Sequence, residues 1–426
     1  MHFGFDDDQL AFRDAVRALL DKECPPDAVR SAASAGPGGL DRGVWDRLAA
    51  MGVLGILVPE DRGGLGLDER SLVLVLEEAG RAALPHPLVD TAAVAAPLLG
   101  PDAGMIATNL GGPHMACAAD ADRLLLLDPG DGGLHLVDRT DAVLTPVATV
   151  DPARRAATVT WDPSAPAPAH PTAAWHPTPE PTSPVAPATW DPTRASDPGA
   201  SDDAWDPTRA GDPGAGEDAW DPTRAGDAEV GEDAWDPATG FASGAGDDAS
   251  SADGDEDDLN WGRGSWDLGA ATLVSDDPEV VALALDRGAW ATAAVLVGLG
   301  QRMVELAVTH VSERHQFGVP VGSFQAVKHQ LADAHKDLAF ARPAVHRASH
   351  SLATGSADRS RDVSMAKALA GDAAWRAGRV ALQCHGAIGY TVEHDLHLYL
   401  KRTWALAKAY GDAGWHRDRV GRTIGI

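Results

Sequence analysis

Residues 162–265 are material from which no hydrophobic core can be built, so the chain must find its fold in the segments on either side. Trp175, Trp190, Trp205, Trp220 and Trp235 recur every 15 residues, four of them inside near-copies of AWDPTRAGDPGAGED, and Trp161 opens an earlier WDP copy. A fixed period can signal a stacked solenoid. Here each unit offers one Trp and little other apolar mass among Pro, Gly and Asp, too little to offset the entropy of ordering it. The stretch reads as a disordered, tandemly expanded insertion. It lies between a strand ending at Trp161 and a chain that resumes near Trp266.

The same insertion explains the charge. Between Asp191 and Asn260, 21 acidic residues face three arginines, whereas the remaining 42 acids and 32 bases are an ordinary balance for a soluble bacterial enzyme. A formal net charge of −28 argues against nucleic acid or an anionic membrane as a partner. Three widely spaced cysteines, Cys24, Cys117 and Cys384, exclude a disulfide framework and a Cys-rich metal site, and they suit a reducing compartment. Met1 to Leu10 carry an acidic run rather than a signal-peptide pattern. No stretch reaches the ~18 uninterrupted apolar residues that indicate a membrane span. A soluble, cytoplasmic protein is expected.

Upstream of the insertion, residues 7–22 place Leu10, Phe12, Val16, Leu19 and Leu20 on one helical face. Asp6 to Asp8 put negative charge where a helix N-terminus favours it. Further helices are predicted over Gly43–Met51 and Asp68–Ala83, so residues 1–100 read as a helical domain. In residues 101–161, short apolar runs divided by Asp, Gly and Pro predict a small, reduced β domain. Downstream, apolar spacing near 3.6 predicts four long helices, Pro278–Ser312, Ser323–Ser351, Val363–Gln383 and Val392–Ala413. Residues 266–426 thus read as a four-helix bundle, and the fold class as α+β, mostly α.

Three stretches resemble one family. Residues 51–66 (MGVLGILVPEDRGGLG) are similar to the N-terminal domain of acyl-CoA dehydrogenases, and residues 314–328 (RHQFGVPVGSFQAVK) and 383–402 (QCHGAIGYTVEHDLHLYLKR) to two diagnostic segments of its C-terminal bundle. The resemblance covers roughly residues 8–160 and 266–420. It implies that this bundle clasps an FAD held mainly by a neighbouring subunit. Arg314 would then ion-pair with the pyrophosphate, which a guanidinium fork suits. Phe317 would sit by the adenosine half and Gln325 near the adenine, with Gln316 also among the cofactor-binding residues. Gln383 and the turn Gly386–Ala387–Ile388–Gly389 would let backbone N–H groups approach the cofactor, which glycine permits. Ala387 replaces a glycine common in the family. Taken singly, Arg314 also reads as a helix-end surface charge and Phe317 as core. The 16 histidines follow no metal-ligand spacing, and His329, His335 and His346 read as helix-surface or packing residues. Glu393 and Arg402 read as structural partners.

The family's catalytic base is missing. Abstracting a weakly acidic proton next to a thioester carbonyl requires a positioned carboxylate of tuned pKa. The two positions that supply it in the family correspond here to Gly288 and Tyr410. Asp286 and Asp412 lie beside the vacated positions and read as solvated helix-end carboxylates, or alternatively as displaced bases. The family's flavin cradle has no counterpart between Pro97 and Trp161; GGPH at 111–114 is the nearest stretch. The resemblance therefore implies a non-catalytic subunit, in an α2β2 arrangement similar to that of some actinobacterial dehydrogenases of bulky CoA thioesters. A paralogous subunit would carry the base and bind the acyl-CoA, and the FAD would be shared. A self-sufficient dehydrogenase and a scaffold tethered by the repeats are the alternatives.

Overall fold

The computed structural model describes residues 4–160 and 271–425. The Trp repeats, and with them the reading of residues 162–265 as a disordered insertion, lie outside the described residues.

The chain begins with α1 (Asp7–Glu23), whose start is fixed by a capping box: the Asp6 carboxylate accepts from the Gln9 N–H, and the Gln9 side chain answers the Asp6 N–H. Two short helices follow, α2 (Pro26–Ser34) and α3 (Gly43–Ala50), then α4 (Glu69–Arg81), capped by Asp68. Sequence periodicity anticipates α1, α3 and α4 within a residue or two but not α2. In α4 the acids Glu69, Glu77 and Glu78 are buried with the apolar residues, and each is answered by a cation from another element. Arg287 donates to Glu69 at 2.8 Å, Arg342 and His346 meet Glu77 at 3.0 and 2.7 Å, and Arg17 forms a fork on Glu78 at 2.5 and 2.8 Å. A buried carboxylate is tolerated on those terms. Residues Val89–Ala95 then form a π-helical stretch leading into α5 (Ala96–Leu99).

The β region follows. Its main sheet has the order β1 (Ile106–Thr108), β2 (Arg123–Leu127), β3 (Leu134–Asp138), and a strand from beyond the repeats, Thr272–Ser275. β1 and β2 run parallel and the other pairs antiparallel. β4 (Val143–Pro146) and β5 (Ala157–Thr160) form a separate antiparallel pair. The strand Thr272–Ser275, β6, corrects the expected boundary: the chain re-enters the sheet beside β3 before the bundle begins.

The bundle opens with α6 (Pro278–Glu313), capped by Asp277. It is long and apolar enough to cross a membrane, but 72% of its apolar window is buried inside the protein, which makes it the core helix. A β-carbon on Gly80 would come within 2.1 Å of the Val295 carbonyl oxygen, and one on Gly298 within 1.9 Å of that of Glu77. Glycines thus bring the backbones of α4 and α6 into contact. A hairpin, β7 (His315–Gln316) and β8 (Val319–Pro320), joins α6 to α7 (Gln325–Ala353), and α8 (Arg359–His385) follows. Trp290 of α6 donates to Ser349 of α7 at 2.9 Å in the interior.

The last predicted helix is two helices. α9 (Leu396–Lys408) starts later than its pattern suggests, and α10 (Ala413–Ile424) begins after a break at residues 409–412. Tyr410 and Gly411 sit in that break with φ of +56° and +90°, values no α-helix accommodates. The bundle therefore has a fifth helix, and the break carries one of the two vacated base positions.

Candidate functional site

Gly288 and Tyr410, the two positions at which the resemblance expects a base, meet in space. A β-carbon on Gly288 would lie 2.0 Å from Cε1 of the Tyr410 ring, and one on Gly111 would lie 2.8 Å from its Cε2. The phenol is therefore held between α6 and the GGPH turn, in room that only glycines leave. Its hydroxyl donates to Asp90 Oδ1 at 2.8 Å, and its N–H donates to the Gly111 carbonyl at 3.1 Å. His416 Nε2 donates to the Tyr410 carbonyl at 2.9 Å. Lys367, fully buried on α8, donates to the carbonyls of Gly411 at 2.8 Å and Ala407 at 3.1 Å. These contacts hold Tyr410 in its left-handed conformation, which a non-glycine residue keeps only when its surroundings impose it.

Tyr410 forms one wall of a cavity of about 70 Å³ that also exposes Asp90, Thr108, Cys117, Arg154 and Thr292. Burial raises the Asp90 carboxyl to about 6, although the Tyr410 hydroxyl bond and nearby Arg154 oppose the shift. Burial likewise pushes the Tyr410 phenol well above its ordinary value, and Asp90 adds to this. The Cys117 thiol is pushed up to about 12 by burial, which leaves it inert at neutral pH. A carboxyl near 6 in a cavity is a candidate acid or base. Sequence reasoning missed Asp90. The available signal was a lone acid inside the apolar run LVDTAAVAA.

Neither flanking aspartate faces this cavity. Asp286 is not solvated, as the sequence suggested: it is 0% exposed, accepts from Ser360 Oγ at 2.6 Å and pairs with Arg419 at 2.8 Å. Asp412 is a helix-end carboxylate, accepting from the Trp415 N–H at the start of α10 at 3.0 Å and from Lys408 at 3.2 Å. Both are committed to holding helices. Arg402 is structural too: buried, it pairs with Asp151 and donates to the Leu84 carbonyl at 2.5 Å.

The clamp residues lie elsewhere, at the far end of α6. Arg314 follows the last residue of that helix, is exposed, and forms no ion pair among the described residues. Its Nη1 reaches toward the His385 carbonyl at 3.4 Å and lies 3.9 Å from where a β-carbon of Gly386 would stand. The structure therefore brings Arg314 to the Gly386 turn. Gly386 itself has φ +64°, a conformation that favours glycine. Gln316 donates to the His315 carbonyl at 2.8 Å within the hairpin. Phe317 and Gly318 form its two-residue turn, both with positive φ (+54° and +80°). This is the signature of a type I′ turn, which ordinarily takes Asn-Gly.

Phe317 is not core: it is 93% exposed and touches Phe324 edge-on, ring centroids 6.3 Å apart. Gln325 is the exposed first residue of α7, a helix with no side-chain N-cap, and Gln383 is exposed on α8. Ala387 is exposed, whereas Gly389 is buried against the end of α8, with room for a β-carbon only 2.9 Å from that of His385. His385 stacks on His310 and meets His394 edge-on, each at a centroid distance of 4.4 Å.

These residues fit one half of a flavin dinucleotide site. A guanidinium with no ion pair among the described residues, helix N–H groups without a side-chain cap and a positive-φ glycine form a donor set suited to phosphate and to close backbone approach. The GGPH turn, the stretch nearest to the family's flavin cradle in sequence, is packed by the Tyr410 ring.

The family models for the acyl-CoA dehydrogenase N-terminal and C-terminal domains match residues 6–100 and 279–425, together more than half of the chain. The chain belongs to the acyl-CoA dehydrogenase family. Among its relatives is the acyl-CoA dehydrogenase IpdE2 of Mycobacterium tuberculosis, 26% identical over 419 residues, covering 94% of this chain and 92% of the relative. The fold is shared with a chain of the ChsE4-ChsE5 complex from Mycobacterium tuberculosis, with a TM-score of 0.68 at 17% identity and coverage of 100% and 99%. It is also shared with butyryl-CoA dehydrogenase from Megasphaera elsdenii, at a TM-score of 0.66, 15% identity and full coverage of both chains.

Proposed function

We propose that this chain is the non-catalytic subunit of a heteromeric, cytoplasmic acyl-CoA dehydrogenase, and that it completes the FAD site of a paralogous subunit. The observation that carries this reading is the contrast between its two ends. The place of the base is filled by a phenol wedged against Gly288, while the clamp at Arg314, Gln316, Phe317, Gln325, Gln383 and the Gly386 turn stands exposed. Phe317, 93% exposed in a left-handed turn and in edge contact with Phe324, leaves most of its ring open to a partner.

On this reading Arg314 neutralises the pyrophosphate, Phe317 covers the adenosine, and Gln325 and Gln383 supply polar contacts at the edge of the cofactor. When bound, the flavin accepts the hydride during α,β-dehydrogenation of a CoA thioester. The proton is taken by the partner subunit, which also holds the acyl group. The similarity to a chain from a complex of two differently named subunits supports this arrangement.

The test is co-expression with a paralogous subunit that carries the glutamate base, followed by a flavin count. This chain alone is expected to be colourless, and the complex yellow, losing most of its flavin on Arg314→Ala. A yellow homo-oligomer that oxidises an acyl-CoA overturns the proposal.

One observation favours the second reading, a self-sufficient enzyme with a displaced base. Asp90, and neither Asp286 nor Asp412, is the acid that faces the cavity. That reading requires flavin reduction by the pure chain, abolished by Asp90→Asn.

A further inference from the structure

Three imidazoles converge behind the clamp, from parts of the sequence with no common spacing. His310 lies on the last turn of α6, His385 is the final residue of α8, and His394 precedes α9. Each can direct one ring nitrogen so that all three atoms lie within 4.8 Å of one another. Bundle helices end at this point, so the three side chains come from three separately anchored backbones. Such a group can close on a shared guest without unfolding any one element.

The protonation pattern is fixed for the central ring. His385 Nδ1 faces the Ala381 carbonyl at 2.7 Å, and since a carbonyl only accepts, that nitrogen carries the proton. The Nε2 lone pair of His385 is therefore free. It is also buried without a hydrogen-bond partner, and so is Nε2 of His310. Buried polar atoms are almost always satisfied, so two unsatisfied nitrogens on stacked rings require an explanation. An imidazole whose outer N–H is held by a backbone carbonyl is the arrangement that orients a histidine as a metal ligand.

We propose that His310, His385 and His394 form a binding site for a borderline divalent metal ion such as Zn²⁺. Three imidazoles and no acid in the ligand set favour zinc or a late first-row metal over magnesium or calcium, which prefer oxygen ligands. A tetrahedral zinc with ligands at about 2.0–2.1 Å needs nitrogens roughly 3.4 Å apart, so the rings must draw together by at most about 1.4 Å. His394 supplies that freedom, being partly exposed in the non-helical segment before α9. Its Nδ1 now accepts the Leu396 N–H at 3.1 Å, and ligation through that nitrogen exchanges one backbone bond for one metal bond. The fourth position is left to water. Arg314 opposes a cation here and Glu313 partly offsets it, so the site is expected to be of moderate affinity.

The experiment uses the purified full-length chain, alone or with any partner that co-purifies, stripped with chelator and titrated with Zn²⁺ and then Co²⁺. One equivalent of metal per chain is expected. Co²⁺ should give the intense visible bands of tetrahedral coordination. His310→Phe and His394→Ala should each weaken binding by roughly tenfold or more, while His335→Ala leaves it unchanged. Because His385 is buried and its loss threatens folding, the two outer variants carry the test, with circular dichroism confirming their helix content. Absence of stoichiometric metal overturns the proposal and assigns the lone pairs to a bridging water. Binding that survives both outer variants overturns it equally, since the metal then sits elsewhere.

Discussion

At the residue scale, the two positions at which the family resemblance expects a base form one structural unit. Gly288 and Tyr410 are far apart in sequence, yet the ring of one fills the space that the other leaves. Gly288→Ala is therefore expected to destabilise the protein by about 1–3 kcal/mol through overpacking. Tyr410→Ala should cost about 3–5 kcal/mol through the cavity it opens. The double variant should fall short of their sum by more than about 1 kcal/mol, because the added methyl then occupies vacated space. Denaturant unfolding of all four proteins measures this, and strict additivity would show that the two side chains do not meet.

Asp90 supplies a pH prediction. Its folded carboxyl lies at about 6 against an ordinary 3.8, so it binds a proton in the native chain over a range in which the unfolded chain has released it. Its stabilising contribution is thus complete below about 4 and lost as pH rises through about 6, by an amount on the order of 3 kcal/mol. Asp90→Asn keeps an acceptor for the Tyr410 hydroxyl but cannot titrate. Wild type minus variant, followed by thermal melting from pH 4 to 7, should fall across this window.

At the scale of elements, the crossing of α4 and α6 decides how the N-terminal helices meet the bundle. Alanine favours a helix over glycine by about 1 kcal/mol, so propensity alone predicts that Gly298→Ala stabilises α6. A methyl at 1.9 Å from the Glu77 carbonyl oxygen outweighs that preference, because a backbone atom cannot yield as a side-chain end can. The variant is expected to lose several degrees of melting temperature. Gly371→Ala, on α8 with open space around its β-carbon position, should be neutral or stabilising. Most helices were legible in the sequence, since capping residues and 3.6 periodicity act locally. The break at 409–412 was not, because Tyr410 is turned by Lys367, His416 and Gly111, none of them its neighbour in sequence.

At the scale of the whole molecule, the repeats separate β5 from β6, and β6 still pairs with β3. Deleting residues 166–262 joins these strands through a connection roughly eightfold shorter, which lowers the loop-closure cost by about 2 kcal/mol if the repeats act as a flexible linker. The deletion variant is expected to melt at or slightly above the intact protein and to retain assembly with its partner. Loss of assembly would identify the repeats as a docking element. Within a complex, Phe317→Ser should leave the melting temperature of this chain alone unchanged, because the ring is exposed, and should raise flavin dissociation from the heteromer. An unchanged flavin off-rate would remove Phe317 from the clamp.

The sequence by itself determined the family and the helical character of both flanks. Those are properties of local periodicity and of residue identity at aligned positions, which no distant contact alters. Only the tertiary structure decided what fills the vacated site, which acid faces the cavity, and which histidines meet. Asp286 read as a solvated helix end because its partners Ser360 and Arg419 lie far along the chain. Phe317 read equally well as core or clamp, because exposure is a property of packing and not of type. His310, His385 and His394 follow no spacing at all and converge only because three separate elements end at the same point.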